Sequence, residues 1–118
     1  MHGTGRTTTD MWTYREQTTD ARSLIGFSVE ATDGGIGKVD EATADAGRSF
    51  LIVDTGPWIF GKKVMLPAGV VDRVDLDAET VFVNRSKDEI KNAPEFDENL
   101  HREDDAYRER LGGYYGGL

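Results

Sequence analysis

The hydrophobic residues between positions 24 and 97 fall in short alternating segments separated by glycines, a pattern typical of a small β-sheet domain. In residues 24–31 every odd position from 25 onward is apolar, so one face of this first strand is predicted to be buried. Asp33-Gly34 predicts a two-residue hairpin turn before the second strand, residues 35–41. This strand has its two aliphatic residues three positions apart, with Gly37 between them. This break in alternation predicts a β-bulge or a close backbone approach at Gly37.

Four further segments complete a predicted set of about six strands. Residues 50–53 are apolar on both faces, which is typical of a strand covered on both sides. Residues 63–66 form a short strand that Pro67 ends or marks as an edge, and residues 70–76 pair with 80–84 in a second hairpin. The predicted fold class is all-β, a small and mostly antiparallel barrel. Turns and strand ends are assigned to Gly26, Gly34, Gly37, Gly56, Pro67 and Pro94.

The two ends of the chain are predicted to add little to this barrel. Residues 1–23 are rich in threonine, glycine and charge without a sustained period, which indicates a flexible N-terminal arm. The barrel domain, residues 24–97, closes with a short helical turn, because Ser86 and Glu89 fit a capping box. Residues 98–118 are predicted to be a charged tail with a marginal helix and a tip rich in glycine and tyrosine.

Composition narrows the class of protein. The chain has 118 residues and a net charge of 14 − 22 = −8, which disfavours nucleic acid as a general partner. It contains no cysteine, so disulfides and thiolate chemistry are excluded and a cytoplasmic location is expected. No apolar run approaches the about 20 residues of a membrane helix or the about 7–15 of a signal peptide. We expect no integral membrane segment, whereas peripheral association stays open.

Few residues have catalytic or metal-binding potential. The two histidines, His2 and His101, lie near opposite ends of the chain and are interpreted as surface residues. An acidic group near the second hairpin could hold a hard cation but lacks the spacing of a calcium loop, and a solvated turn is favoured. Its members are Asp72, Asp75, Asp77 and Glu79. The chain is therefore predicted to be no enzyme and to use no cofactor or metal.

The order of these segments resembles the PRC-barrel family, found in the cytoplasmic part of the H subunit of purple-bacterial photosynthetic reaction centres and in a ribosome maturation factor. The resemblance covers about two thirds of the chain. It rests on Ile25-Gly26, Asp33-Gly34, Ile36-Gly-Lys-Val39, Leu51-Ile-Val-Asp54, Val64 with Leu66-Pro67, and Ala93-Pro-Glu-Phe96. The resemblance implies a compact, mostly antiparallel barrel that binds other proteins rather than catalysing a reaction, and it supplies no active site.

The segment between Gly56 and Gly61 is the preferred candidate for partner binding. It places Trp58, Ile59 and Phe60 where a loop would normally be polar, and aromatic anchors dominate many protein interfaces. The alternative interpretation is that these side chains cap the open end of their own barrel. The adjacent pair, Lys62 and Lys63, could steer an acidic partner or act as ordinary gatekeepers.

The preferred hypothesis is an interaction or adaptor module that docks a protein partner or self-associates as a homodimer. A second hypothesis is an accessory subunit of a membrane electron- or proton-transfer complex. It would use Asp54 as a proton-accepting carboxylate, because Asp54 ends an apolar strand and is expected to be partly buried. The alternative role for this carboxylate is to cap the turn that follows. A third hypothesis is a small-ligand or cation binder.

Overall fold

A computed structural model describes residues 11–12, 21–43, 49–56, 62–97, 99–101 and 104–117. It contains six strands, two α-helices and two short 3₁₀-helices, Ala21–Leu24 and Ala68–Val70, in the described residues. The strands are β1 (Ser28–Ala31), β2 (Gly34–Ala42), β3 (Phe50–Asp54), β4 (Lys63–Pro67), β5 (Val71–Asp75) and β6 (Thr80–Val83). The helices are α1 (Lys87–Lys91) and α2 (Asp105–Gly116).

The strands form one mixed sheet in the order β4-β3-β2-β1-β6-β5. Only the β1–β6 pair is parallel among these strands, which confirms the mostly antiparallel barrel. The 3₁₀-helix joins the two edge strands: the Ala68 amide donates to Ser49 at 3.0 Å, and the Val70 carbonyl accepts from the Asn84 amide at 2.9 Å. Because the three residues of this 3₁₀-helix directly connect β4 to β5, the two edges of the sheet lie close together and the sheet curls into a barrel-like shape.

Gly37 is the point of closest approach between β2 and β3. Val29 pairs with Gly37 and Glu30 pairs with Gly35, so Ile36 is the extra residue of a β-bulge. Gly37 has φ +151°, and a Cβ there would overlap the Asp54 carbonyl oxygen. The structure therefore has both predicted alternatives, a β-bulge beside Gly37 and a close backbone approach at Gly37 itself, and the close approach requires glycine.

The first strand is shorter than the alternation predicts. It begins at Ser28 rather than at residue 24, and Ile25, expected on the buried face, is 51% exposed. The physical reason is Gly26, whose φ of +91° redirects the chain while its amide bonds to the Val39 carbonyl at 2.8 Å. The buried face is confirmed from residue 27 onward.

The two hairpins occur where the sequence predicts them, with small shifts. The first turn consists of residues 32–33, and Gly34 is already the first residue of β2, with φ +145°. In the second hairpin Leu76 lies in the turn and is 57% exposed, so it does not continue the apolar face of β5. Strand β3 is buried along residues 50–53, as its uninterrupted apolar run predicts.

Parts of both predicted tails belong to the core. Trp12 is 4% exposed, and its carbonyl accepts the Ser49 amide at 2.8 Å. In α2 the side chains of Tyr107, Leu111 and Tyr115 follow one another at intervals of four residues and are at most 1% exposed. The expectation of flexible tails is therefore wrong for these residues. Burial of their large apolar and aromatic side chains yields more free energy than the ordering of their short segments costs. The domain boundaries themselves stay a prediction.

Candidate partner-binding groove

A groove of about 240 Å³ opens between strand β4 and the segment that follows α1. We call it the β4 groove; it is lined by Lys62, Lys63, Val64, Met65, Ile90, Lys91, Ala93, Pro94, Glu95, Phe96 and Tyr115. Four of these side chains are at most 7% exposed and form an apolar floor: Met65, Ile90, Phe96 and Tyr115. The rim is charged, so the groove combines an apolar floor with ionic groups at its mouth.

Strand β4 contributes an edge of the sheet to this groove. Within the described residues it pairs only with β3. The Thr55 amide donates to the Lys62 carbonyl, and the Ala68 amide donates to the Ser49 carbonyl. In an antiparallel pair every second residue bonds to the neighbouring strand, so the even-numbered residues from 62 to 68 bond toward β3. The backbone groups of residues 63, 65 and 67 consequently face away from β3. Since Pro67 has no N–H, this edge offers few donors, a feature that protects edge strands from uncontrolled pairing.

The opposite wall of the groove begins at α1, whose start is fixed by the predicted capping box. The Ser86 hydroxyl accepts from the Glu89 amide at 3.1 Å, and the Glu89 carboxylate accepts from the Ser86 amide at 2.8 Å. The helix ends at Lys91, and the chain then passes through Pro94 to the buried ring of Phe96. A helix of five residues gains stability from these caps rather than from its length.

Helix α2 holds this wall in place. The Tyr107 hydroxyl donates to the Pro94 carbonyl at 2.9 Å, and the Tyr114 hydroxyl donates to the Glu89 carbonyl at 2.6 Å. Burial raises the pKa of Tyr107 well above the usual tyrosine range. Burial, and then the nearby Glu89 carboxylate, also raise the pKa of Tyr114. Both phenols therefore stay protonated at neutral pH and remain hydrogen-bond donors.

Charges at the groove are of opposite sign to the chain as a whole. The lining residues include three lysines and one glutamate, a net charge of 3 − 1 = +2, on a chain whose net charge is −8. Lys62 forms an ion pair with Glu95, which links the β4 side to the opposite wall. Lys63 is bonded to Asp40 at 3.0 Å. Lys91 makes no ion pair with the described residues.

The structure places the predicted site residues unequally. Lys62 and Lys63 line the β4 groove, whereas Trp58, Ile59 and Phe60 lie outside the described residues, so their predicted role stays a prediction. The described chain leaves off at residue 56 and resumes at residue 62, which already lines the groove. In the sequence, the aromatic segment therefore ends two residues before the first residue that lines the groove.

Asp54 caps a turn. Its side chain is exposed rather than partly buried, and its carboxylate accepts the Gly56 amide at 2.9 Å. This geometry confirms the turn-cap interpretation. The predicted turn glycines have positive φ angles at all four positions, with Gly56 at +56°. Pro67 ends an edge strand, and the Pro94 carbonyl accepts from α2, as described above.

His101 has a structural role in the described part of the chain. Its ring stacks on Tyr107 with ring centres 4.3 Å apart, and its Nδ1 atom accepts the Asp97 amide at 2.9 Å. No group of three or more histidine or acidic side chains among the described residues is arranged to hold a metal ion. The second histidine, His2, lies outside the described residues.

Sequence reasoning missed the wall of the groove. Neither Lys91 nor Glu95 is predicted as a binding residue from the sequence, because each is an ordinary charged residue in a polar stretch. The only sequence signal at this position is the capping box followed by Pro94 and Phe96, which indicates that the chain folds back here. That signal does not show which strand the returning segment faces.

The architecture defines a small protein with a six-stranded, mixed, barrel-like sheet, which is the PRC-barrel-like fold that the sequence resemblance implies. Among solved structures the chain is similar to a putative 16S ribosomal RNA processing protein, RimM, from Pseudomonas aeruginosa, with a TM-score of 0.51 and 19% sequence identity. The match covers 63% of this chain and 48% of that one, so it spans about half the length of the neighbour. No family model and no curated protein matches the sequence. None of the described helices is long and apolar enough to cross a bilayer.

Proposed function

We propose that this protein is a non-catalytic interaction module that binds a protein partner through the β4 groove and the adjoining segment 57–61. The observation that carries the proposal is the combination, at one place, of an apolar floor, a sheet edge and a cationic rim. Partner proteins commonly use each of these features: apolar pockets for anchors, edges for main-chain bonds and charges for orientation.

The aromatic loop strengthens the proposal by its position in the sequence. Trp58 and Phe60 come within four residues of Lys62, which lines the groove. Large aromatic side chains are the residues expected to supply most of the binding free energy at a protein interface.

Affinity capture from lysate tests the proposal. Tagged wild-type protein is compared with the double variant Trp58→Ala, Phe60→Ala and with the groove variant Lys62→Gln, Lys91→Gln. A Lys38→Gln variant serves as the control, because Lys38 lies on β2 and does not line the groove. We expect a protein that the wild type and the control retain and both test variants lose. Retention of every captured protein by both folded test variants would refute the proposal.

A second candidate function is association with a ribosomal particle through a ribosomal protein. It is favoured by the likeness of the fold to RimM, whose name describes 16S ribosomal RNA processing. The test is co-sedimentation with ribosomal subunits on a sucrose gradient, with and without nuclease. Co-sedimentation that the Lys62→Gln, Lys91→Gln variant loses would support this candidate, and migration only at the top of the gradient would exclude it.

The two other hypotheses stay predictions. For an accessory role in electron or proton transfer, the supporting feature was Asp54, whose carboxylate caps a turn. For a small-ligand binder, the β4 groove is a cavity that could hold the ligand. A thermal-shift screen against metal ions and metabolites tests the latter at little effort.

A further inference from the structure

The Lys62–Glu95 ion pair has the position of a removable latch across the β4 groove. Lys62 immediately precedes β4, Glu95 lies on the opposite wall 33 residues away in sequence, and both line the groove. Their side chains are 56% and 69% exposed. An ion pair this exposed is weak, equivalent to at most about a fivefold preference for the closed arrangement.

The latch also shows which chemistry Lys62 accepts. A carboxylate on a short flexible side chain reaches the Lys62 ammonium from the mouth of the groove, and Glu95 supplies it from within the chain. A ligand that brings its own carboxylate to the same place could replace Glu95 without leaving either lysine or glutamate buried and unpaired, because both are exposed to water. Lys91, which pairs with no described residue, offers a second cationic group among the lining residues, on the wall opposite Lys62.

The remaining features of the groove favour an extended peptide over other anions. A peptide segment can bring a carboxylate to Lys62 and an apolar side chain to the floor of the same groove, whereas a small anion brings only the charge. The floor, which includes Ile90 and Phe96, is apolar and suits aliphatic or aromatic side chains. A nucleic acid would meet one lysine at the rim that is unpaired within the described chain, Lys91, because Lys62 and Lys63 are paired with carboxylates, and a strongly acidic protein around it.

We propose that the β4 groove binds an extended acidic segment of a partner protein, whose carboxylate displaces Glu95 from Lys62 while an adjacent apolar side chain enters the groove. Glu95 is then an internal competitor that lowers the affinity of the free groove for its partner. This inference rests on the proposed function and specifies the partner's chemistry and the regulation of the site.

Peptide selection followed by binding measurements tests the inference. A display library of random ten-residue peptides is selected on the wild-type protein, and the most enriched peptide is synthesised with a fluorescein label. Fluorescence anisotropy then gives its Kd for wild type, Glu95→Gln and Lys62→Gln. The matched controls are Glu109→Gln, which removes an exposed carboxylate on α2, and Lys38→Gln on β2. A ten-nucleotide oligouridine is measured in parallel.

We expect enrichment of peptides with an aspartate or glutamate next to an apolar residue. Glu95→Gln should bind the peptide up to about fivefold more tightly, and Lys62→Gln about fivefold or more weakly, while both controls stay within twofold of wild type. Opposite effects of two substitutions that break the same ion pair cannot arise from loss of stability alone. Circular dichroism and the unfolding midpoint of each variant verify that it is folded.

Three binding results would overturn the inference: enriched peptides without acidic residues, a Glu95→Gln variant that binds no better than wild type, or binding of oligouridine in preference to the peptide. Failure of the selection to enrich any peptide would also overturn it, whether or not the protein self-associates in analytical ultracentrifugation. The proposed function fails separately, because it is judged by capture of a partner that depends on the groove, whatever the charge of that partner's segment.

Discussion

Replacement of Gly37 by alanine should be among the most destabilising small changes available in this chain. Two costs act together at this position. With φ +151° the backbone has a conformation that residues with a Cβ rarely adopt, and the new Cβ would overlap the Asp54 carbonyl oxygen and lie 2.9 Å from Thr55 Cα. Both neighbours are backbone atoms, so no side-chain rotation relieves the overlap and β2 and β3 must separate.

The magnitude follows from these two terms. Backbone strain contributes about 1–3 kcal/mol and overpacking a further 1–3 kcal/mol. Gly37→Ala should therefore lower the free energy of unfolding by about 2–6 kcal/mol. Gly56→Ala is the matched control, because Gly56 has φ +56° and nothing lies within 4 Å of the added Cβ. It should lose only the strain, about 1–2 kcal/mol.

Urea unfolding followed by circular dichroism measures both variants against wild type. The comparison between them removes the entropy that any Gly→Ala change takes from the unfolded chain, since the two substitutions are chemically the same. Equal losses for the two variants, within about 0.5 kcal/mol of error, would refute the close approach of β2 to β3 at Gly37.

Three further predictions concern the packing around the barrel. Trp12→Ala should destabilise the protein by about 3–5 kcal/mol, because the ring is 4% exposed; a loss below 1 kcal/mol in chemical denaturation would show that residues before 24 do not join the core. Ser86→Ala should cost about 1 kcal/mol in the same assay, while Ser86→Asp retains the cap, and equal losses for both would exclude the capping role. Burial raises the pKa of Tyr107 and Tyr115 in the folded state, so the unfolded chain loses these protons at a lower pH than the folded protein does. The free energy of unfolding should therefore keep the full contribution of these phenols below pH about 10 and fall as the pH rises above it. Thermal unfolding between pH 8 and pH 11 should show this fall, reduced in Tyr107→Phe, and an identical pH profile for the variant would contradict it.

The barrel could be predicted from sequence because its signals are local. Alternation along residues 27–31 follows the two-residue repeat of a strand, and the break at Gly37 marks the bulge. The capping box at Ser86 needs only four consecutive residues to form and to be recognised. Each of these features is decided within a few residues, where sequence and geometry are directly linked.

The ends of the chain could not be predicted in the same way. Trp12 stands in a mostly polar stretch of the sequence, so no local pattern indicates its burial. Its segment is held by the bond to Ser49 and by close packing on the second 3₁₀-helix, where a Cβ at Gly69 would come within 3 Å of Met11 backbone atoms. In α2 the buried residues include Tyr107 and Tyr115, but the intervening charges and glycines give a weak apolar stripe. Only the tertiary contact shows which side chains are buried.

The β4 groove was unpredictable for a related reason. Its rim depends on the pair formed by Lys62 and Glu95, and its wall depends on hydroxyl groups of α2 that reach back to Glu89 and Pro94. Contacts over such separations are set by the curl of the sheet and not by any local pattern. Lys62 and Lys63 are predicted as site residues only because they follow the aromatic segment in the sequence.

Amide chemical-shift mapping tests the central claim, that the β4 groove is the partner-binding surface, most directly. The ¹⁵N-labelled protein is titrated with the partner or the selected peptide, and the shift of each amide is followed. The account predicts that the largest changes lie at residues 62–66 and 90–96, on the two sides of the groove. Changes concentrated on β5 and β6, at the opposite end of the sheet, with residues 62–66 unaffected, would contradict it.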